Sequence, residues 1–242
     1  MNAFFSMLSF LTRIPVPKKQ YNENDFINGL YFMPWIGLII GVFLMFFVAI
    51  FQNISMNITA VGTMFLYCLI TGGIHLDGLA DSADGYLSNR SVEKSLEIMK
   101  DSRIGAFGVI ALIFILLGDI ACIIEFNRVY WFLLFPMVGR FIGLLMAFIF
   151  QYGREDGMGK IVVENVNAQM IISSAIGVIG LNFILLDFSG VFATVGSIFF
   201  IFLIVHRISK KFGGITGDTI GMAIELGQFL YLFLALTYWM IF

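Results

Sequence analysis

Apolar residues run almost unbroken through most of the chain, and the polar ones come in blocks between them. Continuous apolar runs cover 30–52 (LYFMPWIGLIIGVFLMFFVAIFQ), about 56–74, 105–125, 129–150, 169–187, 191–206 and 220–242. Most have the roughly 20 residues that a helix needs to cross a ~30 Å hydrocarbon layer. They are continuous, without the alternation over about ten residues that marks a membrane β-barrel strand. The pattern predicts seven spanning helices, the fifth and sixth separated by a turn at Asp187-Phe188-Ser189-Gly190. A shorter apolar stretch, 3–13, cannot span and is expected to lie at the interface or re-enter, with Pro15 and Pro17 ending any helix there. The expected fold class is an all-α, polytopic membrane bundle forming a single catalytic domain over 1–242, with no internal repeat, soluble domain or disordered linker.

Composition agrees. The 242 residues are 60% hydrophobic and only 12% charged, with a mean hydropathy of +0.95, where an ordinary soluble domain carries about 25% charged residues. Cys68 and Cys122 both sit in apolar runs and read as buried free thiols. The opening MNAFFSMLSFLTRIPVPKK has no charged segment before its apolar part and does not resemble a cleaved signal peptide. The basic residues set the expected orientation. Of the 14 Lys and Arg, twelve fall in the N-terminal segment (Arg13, Lys18, Lys19) and three polar blocks: 75–104 (Arg90, Lys94, Lys100, Arg103), 151–169 (Arg154, Lys160) and 206–219 (Arg207, Lys210, Lys211). Seven alternating spans put all of these on one side, the cytoplasmic one, and leave Phe242 outside. The opposite connections carry only Arg128.

The block at 72–108, GGIHLDGLADSADGYLSNRSVEKSLEIMKDSRIGAFG, is the exception to the greasy background. Asp77, Asp81 and Asp84 are spaced by four and three residues, which puts them on one face of a helix. Three carboxylates on one face repel unless a cation sits between them, and an all-oxygen cluster favours Mg²⁺ or Mn²⁺ over zinc. The small residues between them (Gly78, Ala80, Ala83, Gly85) allow close approach of a ligand or a helix. Asp101 arrives on a second segment, to complete a metal shell, act as a base or pair with Arg103 or Lys100. His75 is a candidate base or hydrogen-bond partner of a phosphate.

Lys100, Arg103, Arg154 and Lys160 flank this cluster on the same side and suit a phosphate or diphosphate. Lys18, Lys19, Arg207 and Lys210 are better read as charge that orients the protein. Gly153, Gly157 and Gly159 around Arg154, and GGITGDT at 213–219, have the look of loops that wrap a phosphate with backbone N–H groups. Gly217 and Asp218 are further candidates there, although Asp218 fits an N-cap better. Glu225, inside the last span on the same helical face as Asp218, needs a buried partner, for which Arg140 is the candidate; Asp119 is a similar intramembrane acid.

GGIHLDGLADSADG, LEIMKDSRIGAFG and KKFGGITGDTIGMAIELGQ resemble the cobalamin synthase (adenosylcobinamide-GDP ribazoletransferase) family, as does SFLTRIPVP near the start. The resemblance spans about residues 6–228. It implies a Mg²⁺-dependent, multi-pass enzyme of the prokaryotic inner membrane. It further implies adenosylcobinamide-GDP as donor, α-ribazole or its 5′-phosphate as acceptor, and adenosylcobalamin or its 5′-phosphate plus GMP as products. With that chemistry, Asp77, Asp81 and Asp84 would hold the metal and Asp101, or less favourably His75, would take the proton. Lys100, Arg103 and Arg154 would hold phosphate oxygens. Membrane lipid is an expected partner, nucleic acid is not, and an oligomer is compatible with the sequence.

Two other readings remain. The acids also resemble in their logic the site of CDP-alcohol phosphotransferases, or of a polyprenyl counterpart, but no Ala-Arg pair follows the Asp-Gly. A cation or proton-coupled transporter would use Asp77, Asp119 and Glu225 near the midplane. The concentration of acids beside bases at one membrane face favours an enzyme.

Overall fold

The computed structural model describes residues 2–17, 20, 22–126 and 128–241; Lys18, Lys19 and Phe242, which entered the orientation argument, lie outside the described residues. The helices are α1 (Asn2–Leu11), α2 (Glu23–Gly29), α3 (Met33–Phe51), α4 (Met56–Thr71), α5 (Ile74–Leu87), α6 (Val92–Ile98), α7 (Ala106–Glu125), α8 (Tyr130–Ile149), α9 (Met158–Asn165), α10 (Ala168–Phe212) and α11 (Gly217–Ile241). A single 3-10 turn joins α2 to α3. Among the described residues there is no strand, as expected of the class.

Five helical stretches are long and apolar enough to cross a membrane, or six if the bent pair α4–α5 counts as one span. One of the five, α10, has 45 residues and would be about 68 Å long if straight, more than twice the ~30 Å hydrocarbon layer. It is not straight. Asp187 has φ 56° and ψ −147°, and a Cβ on Gly190 would lie 2.9 Å from Asn182 Oδ1, a proximity that eight residues of continuous helix forbid. The chain doubles back at Asp187, so the two halves of α10 correspond to the expected fifth and sixth spans, and α4 reaches spanning length only together with α5, so that the count is roughly consistent with the seven expected.

α8 is the axis of the bundle. It packs on α3, α10 and α11, and Leu134, Met137, Val138, Ile142, Leu144 and Met146 are completely buried. Glycines bring the neighbours close: a Cβ on Gly37 or Gly41 of α3 would run into the backbone of α8 at Pro136 and Leu133. Without a hydrophobic drive between helices in lipid, such backbone approach is a main source of association. The lipid side carries Phe43, Phe46, Phe65, Phe114 and Ile184, all exposed.

The polar block 75–104, whose acids are spaced for one helix, contains α5 and a second, short helix, α6. Gly72 (φ 67°) and Gly73 (φ 70°) are both left-handed, a conformation that glycine adopts without steric cost. They end α4 and start α5 at an angle of 94°. α5 therefore turns away from the axis of α4 and packs on α11 and α7, with Asp77 exposed, Asp81 half-buried and Asp84 buried. Lys211 holds the far end of α5, donating to the Tyr86 carbonyl at 2.9 Å with its ammonium 5.2 Å from the Tyr86 ring.

Overpacking costs about 1–3 kcal/mol, which for a chain of this size is roughly 3–10 °C in Tm. Gly41→Val is expected to lower the Tm of the detergent-solubilised protein by that amount, and Phe43→Ala to leave it within 2–3 °C, roughly the noise of such a measurement. Equal shifts in a thermal melt would contradict the packing role of Gly41.

Candidate active site

α5 carries Asp77 and Asp81 on its open side. A second pair comes from elsewhere in the chain. The segments after α8 and before α11 lie side by side, with Gly153 N–H donating to the Ile215 carbonyl and Ile215 N–H to the Gln151 carbonyl, each at 2.8 Å. This pairing carries Arg154 to Asp218, Nη2 to Oδ2 2.8 Å. Arg154 is nearly buried, and its Nε finds no acceptor among the described residues.

The glycines expected to cradle a phosphate serve this joint instead. A Cβ on Gly214 would lie 2.6 Å from Gly153 N, and one on Gly159 would lie 2.6 Å from Gly217 N. The Gly153 N–H is already used. Gly217 opens α11, and Asp218 sits in its first turn, where the Thr216 and Thr219 hydroxyls bond each other at 3.2 Å. Asp218 is thus an ion-pair partner facing α5: a Cβ on Gly78 would lie 2.9 Å from its carbonyl oxygen.

Burial first, then the carboxylates of Asp77 and Asp218, push the Asp81 carboxyl up to about 7 against the pull of Arg154. Asp77, Asp81, Asp218 and Arg154 therefore share one electrostatic neighbourhood, in which acids outnumber the cation.

The third acid of the expected cluster adds its charge to Asp81, but its own oxygens are bonded elsewhere. Asp84 is buried and accepts hydrogen bonds from Gly105 N–H at 2.7 Å and Gly108 N–H at 2.9 Å. It caps the N-terminus of α7, satisfying donors that a helix leaves open. Among the described residues no three His, Cys, Asp or Glu side chains are grouped to hold a metal ion. The donors still fit Mg²⁺. That ion is commonly held by one or two carboxylates plus substrate phosphates rather than by a full protein cage, and the Asp77–Asp81 pair offers hard oxygens with unrelieved negative charge.

Asp101 does not suit the role of base. It accepts from Arg103 at Nε (3.0 Å), Nη2 (2.7 Å) and the backbone N–H (3.0 Å), and these bonds hold its carboxyl down at about 2. Arg103 is spent on the same exposed pair and does not line either cavity described below, so its expected phosphate role is not supported by its position. Lys160 donates to the Glu155 carbonyl at 2.8 Å and steadies its own loop. Lys100 does face the site.

Glu225 finds a partner other than Arg140. It accepts from the Tyr67 hydroxyl at 2.6 Å and from Gln228 Nε2 at 3.1 Å, while Arg140 donates to Gln228 Oε1 at 3.0 Å. Gln228 bridges the two charges. His75 Nδ1 lies 3.8 Å from Glu225 Oε1, so His75 joins this buried network to the site. Asp119 is buried with its Oδ1 unpartnered.

Two cavities meet here. A cavity of about 250 Å³, mostly apolar, is bounded by α1, α3, α9 and α11 and touches His75, Asp77 and Asp218. A more polar cleft of about 660 Å³ is bounded by α5 and the 99–104 segment and touches Arg13, Asp77, Asp81 and Lys100. Asp77 lines both. Arg13 was read only as orienting charge. Its backbone N–H donates to the Ile70 carbonyl at 2.6 Å, and its side chain lies against Gly72, where any Cβ would strike it. No local sequence signal marks it, because the contact spans about sixty residues of chain.

The family model described as cobalamin-5-phosphate synthase matches residues 3–236. The chain belongs to that family. Relatives named adenosylcobinamide-GDP ribazoletransferase include one from Alkaliphilus oremlandii, 39% identical over 239 residues and covering 96% of both chains. Another, from Fusobacterium nucleatum, is 36% identical over 98% of this chain and 97% of its own. One from Escherichia coli is 35% identical over 95% and 97%. No solved structure matches.

Within the family framework the acids separate by role. Asp84→Ala leaves two N–H groups without their acceptor, at about 1–3 kcal/mol each if buried. It is expected to lower Tm clearly, whereas Asp77→Asn leaves Tm unchanged. A thermal melt of both variants checks this, and an unshifted Asp84→Ala would remove the capping role.

Proposed function

We propose that this chain transfers the adenosylcobinamide phosphate group from adenosylcobinamide-GDP to α-ribazole or α-ribazole 5′-phosphate, forming adenosylcobalamin or its 5′-phosphate and releasing GMP. The observation that carries the reading is the convergence of Asp77 and Asp81 with Arg154 and Asp218, at the junction of two cavities, in a chain that matches the ribazoletransferase relatives from end to end. A hydroxyl of the ribazole attacks the phosphorus linked to cobinamide. The O–P bond to the GMP moiety breaks, and GMP leaves with the bond's electrons. Such a transfer depends chiefly on positioning and on neutralising charge.

Asp77 and Asp81 would hold Mg²⁺, which when bound supplies positive charge to the diphosphate oxygens. Lys100 and Arg13 bind non-bridging oxygens, and Arg154, paired with Asp218, adds positive charge beside Asp81. His75, in the wall of the apolar cavity next to Asp77, is placed to take the proton of the attacking hydroxyl. Burial, then the Arg140 charge, hold its value well below that of a free imidazole, so it is neutral and can accept a proton, though as a weak base, whereas Asp101 is held ionised by Arg103 and is weaker still. The site opens on the side that carries the excess of Lys and Arg, which this reading assigns to the cytoplasm.

Protein purified in detergent, given adenosylcobinamide-GDP, α-ribazole and Mg²⁺, is expected to release GMP. Turnover of a CDP-alcohol with no GMP above the blank would overturn the assignment. In the same assay Asp77→Asn and Asp81→Asn are expected to lose activity at least 100-fold (about 2.7 kcal/mol), and Asp101→Asn to stay within tenfold of wild type.

The Asp81 carboxyl has to be ionised to hold a cation. With its value raised to about 7, the proton is bound below pH 7 and competes with the metal, so affinity falls as the pH falls. Between pH 8 and pH 6 the Mg²⁺ concentration for half-maximal rate is expected to rise roughly tenfold. A flat dependence would remove Asp81 from the metal site.

A further inference from the structure

We infer that the two cavities divide the two substrates: the apolar one receives the aromatic base of the acceptor, and the polar cleft receives the diphosphate of the donor. This rests on the reading above and deepens it. The cavity of about 250 Å³ has walls of Met7, Phe10, Leu30, Met33, Met158 and Val162. Such a lining suits a flat apolar ring, and thioethers make favourable contacts with aromatic rings. A diphosphate placed there would lose its hydration with no basic side chain in return. A tetrapyrrole-sized ring exceeds the volume.

The cleft of about 660 Å³ has the opposite character. Arg13 and Lys100 line it together with Asp77 and Asp81, which is the mixture a metal-bound diphosphate needs. Asp77 lies in both walls, and His75 and Asp218 lie in the apolar one. A base seated among the methionines therefore puts its attached ribose, and the hydroxyls on it, beside these three polar groups at the junction. The cavity wall is firm where α9 meets α11, since Gly159 and Gly217 are too close to admit a side chain. Specificity for the acceptor's base is set by the apolar side chains of α1, α3 and α9, recognition of the donor by Arg13, Lys100 and the acids of α5, and α5 lines both cavities.

The test is calorimetric binding of each substrate alone to the full-length protein in detergent, using Val162→Phe to fill the cavity and Val162→Ala to widen it. Val162→Phe is expected to weaken α-ribazole at least tenfold and to leave adenosylcobinamide-GDP within twofold. Val162→Ala is expected to bind an analogue with a bulkier alkylated benzimidazole more tightly than wild type does. Should Val162→Phe fail to fold, Val162→Ala decides alone. Equal weakening of both substrates, or α-ribazole binding unmoved by either variant as when a lipid chain occupies the cavity, would overturn the inference. Wild-type protein that binds α-ribazole in this way but releases no GMP would overturn the proposed reaction and leave the cavity assignment standing.

Discussion

Two consecutive left-handed glycines, Gly72 and Gly73, decide how this molecule presents its chemistry. A helix that crosses a bilayer must keep its backbone groups bonded within itself, and carboxylates held within hydrocarbon are costly. The 94° bend turns α5 away from the axis of α4 before its first acid. The rest follows from that change of course. α5 lies against the start of α11, so Asp77 and Asp81 face Asp218, and its end is tied down by Lys211. Asp84 then reaches the first turn of α7 and fixes where the chain re-enters the bundle. Arg13 rests on Gly72 itself and reaches the cleft only because no side chain is there.

Beneath the site is a layer of buried polar groups. Tyr67, Glu225, Gln228 and Arg140 are each within 1% of complete burial and bond one another across three helices. In a low-dielectric interior such a set is favourable only when its members satisfy each other. Arg140 also donates to the Pro136 carbonyl at 3.1 Å, one turn back along α8. His75 stands between this layer and the cavities, and so ties the geometry of the reacting groups to the middle of the bundle.

Much of this was legible in the residues. Seven apolar runs predict seven crossings, and the Asp187 turn predicts the reversal within α10. The acidic block predicts a helix and a site at one membrane face. Asp77 and Asp81 were legible as a pair because helical spacing is a local property. Asp84 obeys the same spacing, but its carboxylate is claimed by N–H groups more than twenty residues away, and spacing says nothing about such a claim. Arg103 and Lys160 looked like phosphate ligands because charge and side of the membrane were the only criteria; both bond to neighbours in their own loops. The glycines at 153, 159, 214 and 217 looked like a phosphate cradle, yet the small volume that suits a phosphate also suits a crossing of two backbones.

By itself the sequence determined that the chain is helical with several stretches apolar enough to cross a membrane, that its ionisable groups gather in blocks between them, and which family its motifs resemble. These depend on local hydrophobicity, charge and short spacings, which a linear string carries in full. Only the tertiary structure decided which acids face the site and which cap a helix, and that Arg13 and Arg154 reach it. The same holds for the way one apolar and one polar cavity share Asp77. Those are contacts between segments far apart in the chain, set by the packing of α5 on α11 and by the bend that allows it.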